Sequence, residues 1–277
     1  MPSSINIKGQ GLATTQQETP INVTIKELLE SGAHFGHQKH RWNPKMKRFI
    51  FEERNGIYII DLAKTMQQIR IAVQAVRETV SKRKSILFVG TKKQAKSVVR
   101  ECAEESGEFY VAERWLGGTL TNLTTIRQSV KTLERIEKNI AAGGEGFTKK
   151  EMVLFAKEQI KLNRNLGGIR GMRRPPGLVI VVDPSLERIA VAEAKKLGIP
   201  VMALVDTNCD PDPIDFVIAC NDDALKSIKL ILSAISQAII DKKNDMMIPM
   251  MKGEAKEGEE GSKDSEEIVE ESEEELT

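Results

Sequence analysis

Residues 178–205 read LVIVVDPSLERIAVAEAKKLGIPVMALV, and this stretch decides the fold. Its two ends, 178–182 and 201–205, are continuous apolar runs. Such runs fit strands covered on both faces, the condition inside a parallel sheet. Between them, Asp183-Pro184 supplies a capping residue followed by proline at a first helical position, and Gly198 stands where the intervening helix should stop. Strand, helix and strand in this order predict a right-handed crossover between parallel strands.

Working outward, apolar runs at 57–60, 85–89, 109–111 and 216–218 alternate with helical patterns at 62–81, 92–105 and 222–242, the last capped by Asn221. Thr24-Ile-Lys-Glu27 fits a capping box opening a short helix with Leu28 and Leu29 on its apolar side. The alternation predicts an α/β protein, a parallel sheet flanked by helices, with 57–60 as its first strand. One segment breaks the pattern. Leu123, Ile126, Val130, Leu133, Ile136 and Ile140 form a coiled-coil-like stripe. Gly143-Gly144-Glu145-Gly146 then turns the chain, and a second capping box, Thr148-Lys-Lys-Glu151, opens a helix carrying Met152, Phe155, Gln159, Leu162 and Leu166. This predicts an inserted antiparallel coiled-coil hairpin projecting as an arm. The expected division is a flexible arm over 1–22, a sheet domain over 23–119 and 170–243, the hairpin over 120–169 and a disordered acidic tail over 244–277.

Of the 277 residues, 40% are hydrophobic and 29% charged, which excludes collagen-like, mucin-like and globally disordered chains. No apolar run approaches a membrane span, no apolar signal core opens the chain, and the three cysteines, Cys102, Cys209 and Cys220, form no CxxC pair. A soluble cytoplasmic protein with reduced thiols is expected. The net charge of +1 conceals a division: residues 251–277 hold 12 acidic and 3 basic side chains, a net of −9, leaving 38 basic and 28 acidic residues, a net of +10, in 1–250. A basic body of that size points to polyanions or acidic partners.

Enzyme chemistry finds no support. Gly90-Thr91-Lys92-Lys93 lacks the earlier glycine of a P-loop and the glycines of a dinucleotide site, and Gly167-Gly168-Ile-Arg-Gly171 follows a helix rather than a strand. No nucleophile stands beside a base, and neither GxSxG nor HExxH occurs. No small-molecule substrate, cofactor or membrane is expected. His34, His37 and His40 are candidate metal ligands, since imidazoles three apart share a helical face, although Gly36 and Pro44 stop a helix early and no Cys or carboxylate adjoins them. Asp206, Asp210 and Asp212 could hold a hard cation or simply make turns. Structural zinc or magnesium would fall on these residues.

The richest local chemistry is Lys39-His40-Arg41-Trp42-Asn43-Pro44-Lys45-Met46-Lys47-Arg48-Phe49, where cations interleave with an aromatic, an amide and a stiffening proline. That pattern suits phosphate contacts plus stacking on an unpaired base. Arg170, Arg173 and Arg174 form a second basic stretch, Lys149 and Lys150 a third at the hairpin tip, and Lys92 could meet a phosphate at the Gly90-Thr91 turn. A solvated charged surface is the plainer alternative. With aromatics at 4%, folded RNA suits the chain better than a naked single strand.

In combination, GAHFGHQ (32–38), WNPKM (42–46), RNGIYIIDL (54–62), ILFVGTKKQA (86–95), RWLGGTLTN (114–122), NLGGIRGM (165–172) and LGIPVMALVDTNCDPDPIDFVIACNDDA (197–224) resemble the bacterial small-ribosomal-subunit protein two family. The likeness covers about residues 23–242; His40, Glu52, Tyr58 and Pro176-Gly177 depart from residues more common in that family. The resemblance implies a flavodoxin-like parallel sheet carrying a coiled-coil hairpin, and a non-enzymatic structural role in the small ribosomal subunit. It further implies binding to 16S ribosomal RNA between head and body, beside neighbouring small-subunit proteins, and help in docking the large mRNA-binding protein one. Expected RNA contacts are His37, Lys39, Arg41, Trp42, Asn43, Lys45, Lys47, Arg48, Lys92, Lys93, Arg114, Lys149, Lys150, Arg170, Arg173 and Arg174. Two rivals are a Rossmann-like nucleotide or sugar-phosphate enzyme, which needs a ligand at the strand ends, and a protein-interaction scaffold using the hairpin alone.

Overall fold

The structure, a computed structural model, describes residues 23–143 and 146–247. Residues 1–22, expected as a flexible arm, Gly144 and Glu145, expected to turn the hairpin, and the tail from 248 onward lie outside the described residues. The final helix, α7, runs over 225–247, so residues 244–247, expected to begin the disordered tail, are helical. Met246 packs there against the core.

Five strands form a parallel sheet: β4 (Ile86–Val89), β5 (Phe109–Val111), β6 (Leu178–Val182), β7 (Val201–Val205) and β8 (Phe216–Ala219), in the order β5-β4-β6-β7-β8. Counted among themselves the strands run 2-1-3-4-5, the flavodoxin-like order. Alternate residues enter opposite layers. Ile86, Phe88, Ile180, Val182, Met202 and Leu204 meet α2 (Leu62–Ser81), α3 (Lys96–Ser106) and α7, whereas Leu87, Val89, Val179, Val181, Val201 and Ala203 meet α6 (Arg188–Lys196) and the 115–130 and 166–172 segments. Burial on both faces explains the continuous apolar runs. The outer edge of β8 is covered by α2: the Ala219 amide donates to Gln68 Oε1 at 2.8 Å, and Thr65 Oγ1 donates to the Ala219 carbonyl at 2.6 Å.

Residues 57–60 are a strand, but not of this sheet. β3 (Ile57–Ile60) lies between β1 (Phe35–Gln38) and β2 (Ile50–Arg54) in a separate antiparallel sheet, order β1-β3-β2. The cause is local: Arg54 pairs with Ile57 across Asn55-Gly56, both at positive φ (52° and 77°), the two-residue turn that matches strand twist in a hairpin. This small sheet is pinned to the large one where their loops meet, the His37 amide donating to Thr207 Oγ1 and the Asn43 amide to the Thr207 carbonyl, each at 2.8 Å. Gly36 permits that approach, since a Cβ there would lie 2.6 Å from Thr207 Cγ2.

Both capping boxes form, opening α1 (Ile25–Glu30) and α5 (Lys149–Leu166). α6 starts four residues later than Pro184, because Asp183, at φ 62°, holds a turn through Oδ1 contacts with the Ser185 and Leu186 amides. Between β5 and β6, α4 (Leu123–Ala141) and α5 lie against one another. Ile126 and Val130 join the apolar layer on the sheet, whereas Leu133 and Ile136 are buried outside both sheet layers. Gly168 serves close packing: a Cβ would come within 2.3 Å of the Tyr110 carbonyl oxygen, so this glycine lets the turn after α5 sit against β5.

Candidate functional site

The 39–49 segment is built by capping. Asn43 Oδ1 accepts from the Lys45 amide, Pro44 opens a short 3-10 helix over Pro44–Phe49, and Met46 is buried beneath it. Trp42 is half-buried with its ring centroid 4.9 Å from that of Tyr58. Asn43 and Trp42, expected at RNA, are therefore already engaged in shaping the loop.

Ion pairing divides the expected contacts sharply. Lys39 bonds Glu53 at 2.7 Å, Lys45 bonds Asp210 and Asp212 at 2.8 and 2.5 Å, and Arg170 pairs with Glu137. Hydrogen bonds to Asp210 and then Asp212 hold the Lys45 ammonium above the ordinary lysine range. By contrast Arg41, Lys47, Arg48, Lys93, Arg114, Lys149, Lys150, Arg173 and Arg174 are exposed and make no ion pair among the described residues.

The histidines do not converge. Residues 35–38 are extended rather than helical, so side chains three apart leave on opposite faces. His34 Nδ1 is buried without a hydrogen-bond partner, and burial holds its pKa down; His40 is exposed. His37 instead reaches the large sheet, with Nδ1 3.0 Å from Asp206 and Nε2 3.5 Å from Asp223. The Asp206 hydrogen bond raises its pKa, against its burial. Asp210 is not near it, being paired with Lys45.

At the carboxyl ends of β6, β7 and β8 stand Asp183, Asp206, Asp222 and Asp223. Lys92 lies 2.6 Å from each of Asp222 and Asp223 and 3.5 Å from Asp183. Burial disfavours the ammonium, yet these carboxylates outweigh it and keep Lys92 above the ordinary range. Burial, then repulsion from Asp206 and Asp183, pushes the Asp222 carboxyl up to about 7. The Thr91 amide donates to Glu187 Oε1 at 2.8 Å. With its lysine and an amide committed to carboxylates, the Gly90-Thr91-Lys92 turn is not the phosphate cradle that its sequence suggested.

One residue that the sequence reading missed organises the 115–121 loop. Glu193 of α6, 8% exposed, accepts at Oε1 from Trp115 Nε1 (3.1 Å) and the Gly118 amide (2.7 Å). At Oε2 it accepts from the Leu120 and Thr121 amides and Thr121 Oγ1, at 2.9, 3.1 and 3.1 Å. The signal was a carboxylate on the apolar face of a helix, between Ala190 and Ala194.

Among the described residues the motif segments pack the fold and shape its loops. Comparison with known proteins decides what such a fold is for: residues 28–242 match Ribosomal protein S2. The chain belongs to the ribosomal protein S2 family. It is 72% identical over 243 residues to small ribosomal subunit protein uS2 of Protochlamydia amoebophila (strain UWE25), covering 88% of this chain and 89% of that protein. It is 61% identical over 236 residues to the uS2 of Chlamydia abortus (strain DSM 27085 / S26/3), covering 85% and 86% of the two chains. Ribosomal protein S2 is a structural, non-enzymatic protein of the small subunit, acting on the ribosome in the cytoplasm. Among the described residues no helix is long and apolar enough to cross a membrane.

Proposed function

We propose that this ribosomal S2 chain binds 16S ribosomal RNA between the head and body of the small subunit, and that its RNA contacts are the cations left without a carboxylate partner among the described residues. The observation that carries this reading is the pairing pattern. Arg41, Lys47 and Arg48 stand exposed and make no ion pair among the described residues, Arg48 lying over the Phe49 ring at 4.7 Å from its centroid, in the same segment where Lys39 and Lys45 are neutralised by carboxylates. An unpaired guanidinium or ammonium gains fully from a phosphate, whereas a paired one must first give up its carboxylate. Lys93, Arg114, Arg173 and Arg174 extend the contact set. In sedimentation, the full-length chain is expected to co-migrate stoichiometrically with small subunits reconstituted without their own copy; its absence from that peak would contradict the reading.

The same chain is proposed to help dock the large mRNA-binding protein one, supported by the family resemblance. Subunits lacking this chain are expected to retain less protein one in a pull-down; equal retention would remove that role.

Helices α4 and α5 are proposed to form the inserted antiparallel coiled-coil hairpin, with Lys149 and Lys150 near its tip meeting RNA or a neighbouring protein. Leu133 and Ile136, buried outside both sheet layers, suit a seam between the helices. Ile136→Ala is expected to cost about 2 kcal/mol, the low end for a buried isoleucine. Limited proteolysis should then cleave faster near Gly143 while the sheet stays resistant. Val130→Ala, by contrast, should loosen both, because Val130 also touches the sheet layer. Equal cleavage patterns for the two variants would contradict a separate arm.

The tail beyond 247, outside the described residues, enters through its charge. Deleting 251–277 removes a net of −9 tethered to a basic body. Nonspecific RNA affinity is expected to rise most at low salt, where the Debye length is long, while subunit entry stays near that of the full chain. Unchanged low-salt affinity in a gel-shift titration would make the tail electrostatically inert.

A further inference from the structure

The outer edge of β8 is closed at one end only. β8 pairs with β7 in the register Ala203↔Val217 and Val205↔Ala219, and the Cys220 amide donates to the Val205 carbonyl at 3.1 Å. In a parallel ladder this turns the backbone groups of Phe216, Ile218 and Cys220 toward β7, and those of Val217 and Ala219 toward the outer edge. α2 fills the Ala219 pair through Gln68 and Thr65. The outward amide and carbonyl of Val217 meet no partner among the described residues. Beside Val217 the residue that α2 contributes is Ile71, 56% exposed and without donor or acceptor. Ile71 and Gln68 form one wall of a groove here, Phe49 stands on another side, and Phe216 and Val217 belong to its floor. A strand edge with one free donor, one free acceptor and apolar walls is the template for strand addition.

The chain carries a segment suited to that edge. Ile5-Asn6-Ile7-Lys8 alternates β-branched and polar residues between Pro2-Ser3-Ser4 and Gly9, a pattern too short to make a strand alone but sufficient to add one to an existing sheet. The place where the described chain begins favours it. Val23, 4% exposed, packs in the layer that holds α2, α1 lies against α2, and the Asn221 amide, just past β8, donates to the Ala33 carbonyl at 3.0 Å. Residues 1–22 therefore depart from the β8 side of the sheet. Val23 is 16 positions beyond Ile7, a reach of up to about 50 Å, whereas five strands at about 4.8 Å span roughly 20 Å. The C-terminal tail departs from the other side: near the end of α7, Lys243 donates to the Ser106 carbonyl at 2.7 Å and pairs with Glu108 at 2.6 Å, beside β5 at the opposite edge.

We propose that residues 5–8 of the chain's own N-terminal arm add to the outer edge of β8 as a short sixth strand, exchanging backbone hydrogen bonds with Val217 and setting Ile5 and Ile7 against Ile71 and Phe216. Tethering makes this encounter intramolecular, so few contacts suffice to hold it. The added strand closes the edge left open by α2 and keeps a second chain from pairing there.

The test follows the Val217 amide by hydrogen exchange in the purified full-length chain. Deleting residues 2–12, or combining Ile5→Asp with Ile7→Asp, should speed its exchange about tenfold, while the central-strand amides of Val179 and Val181 keep their rates and so report an intact fold. Under mild oxidation, Ile7→Cys with Ile71→Cys should close a disulfide within one chain, and Met251→Cys with Ile71→Cys should not. Equal Val217 exchange in the parent chain and both arm variants would overturn the proposal. A disulfide from position 251 to position 71 would give the groove to the tail, and disulfides formed between chains would give it to a second copy; either result also overturns it.

Discussion

Glu193→Ala is expected to lower stability by about 3–5 kcal/mol, the scale for removing one partner from a buried charged network. Five donors from Trp115, Gly118, Leu120 and Thr121 converge on its two oxygens. The loop should detach from α6, exposing Trp115, so indole fluorescence should report the loss during denaturation. Burial alone would push the Glu193 carboxyl up, but the Thr121 and Gly118 amides, the Trp115 indole and the Leu120 amide outweigh it and hold the pKa below the ordinary value. A carboxylate with a depressed folded-state pKa contributes its full stability above the unfolded value, about 4.3, and loses it as pH falls through the folded one. The parent chain should therefore lose stability on acidification through that window, and Glu193→Gln should show a shallower acid limb from a lower starting point. A parent-like denaturation midpoint for Glu193→Ala at neutral pH would show that the loop is held by other contacts.

The second large effect falls on function. Replacing Arg41, Lys47 and Arg48 together by Ala should weaken binding to 16S ribosomal RNA by about a hundredfold, taking roughly 1 kcal/mol for each exposed cation–phosphate contact. All three side chains are exposed, so the fold should keep its melting temperature within about a degree or two of the parent chain. In a competition assay the variant should enter subunits poorly against unaltered protein. Equal entry would mean that the segment faces solvent or protein on the ribosome rather than RNA.

The parallel sheet was legible because burial on both faces writes itself as unbroken apolar runs, and because Asp183-Pro184 and Gly198 punctuate the chain locally. The small antiparallel sheet was legible too, in Arg54-Asn55-Gly56-Ile57, but β3 taken alone reads as one more buried strand and the turn ahead of it went unused. The histidine cluster misled for a related reason: a spacing of three has meaning only once the local geometry is helical, and residues 35–38 are extended. Charge pairing was hidden altogether. Lys45 meets Asp210 and Lys92 meets Asp222, partners separated by 165 and 130 residues, and no local spacing encodes contacts made by the winding of the sheet. Glu193 left a readable trace, a carboxylate on an apolar helical face, whereas the amides that it receives belong to a loop whose path only the tertiary structure defines.

Pairing, and not the mere count of basic residues, is proposed to decide which cations meet RNA. Its most direct test is the salt dependence of 16S ribosomal RNA binding by three full-length proteins: the parent chain, Arg41/Lys47/Arg48→Ala, and Lys39/Lys45→Ala. Over about 50 to about 200 mM salt, the slope of log K against log salt should fall by about 2 to 3 for the unpaired set, at about 0.7–0.9 per phosphate contact. For the paired set it should change by less than about 0.5. Equal loss per residue in the two variants, or an unchanged slope in the first, would contradict the claim.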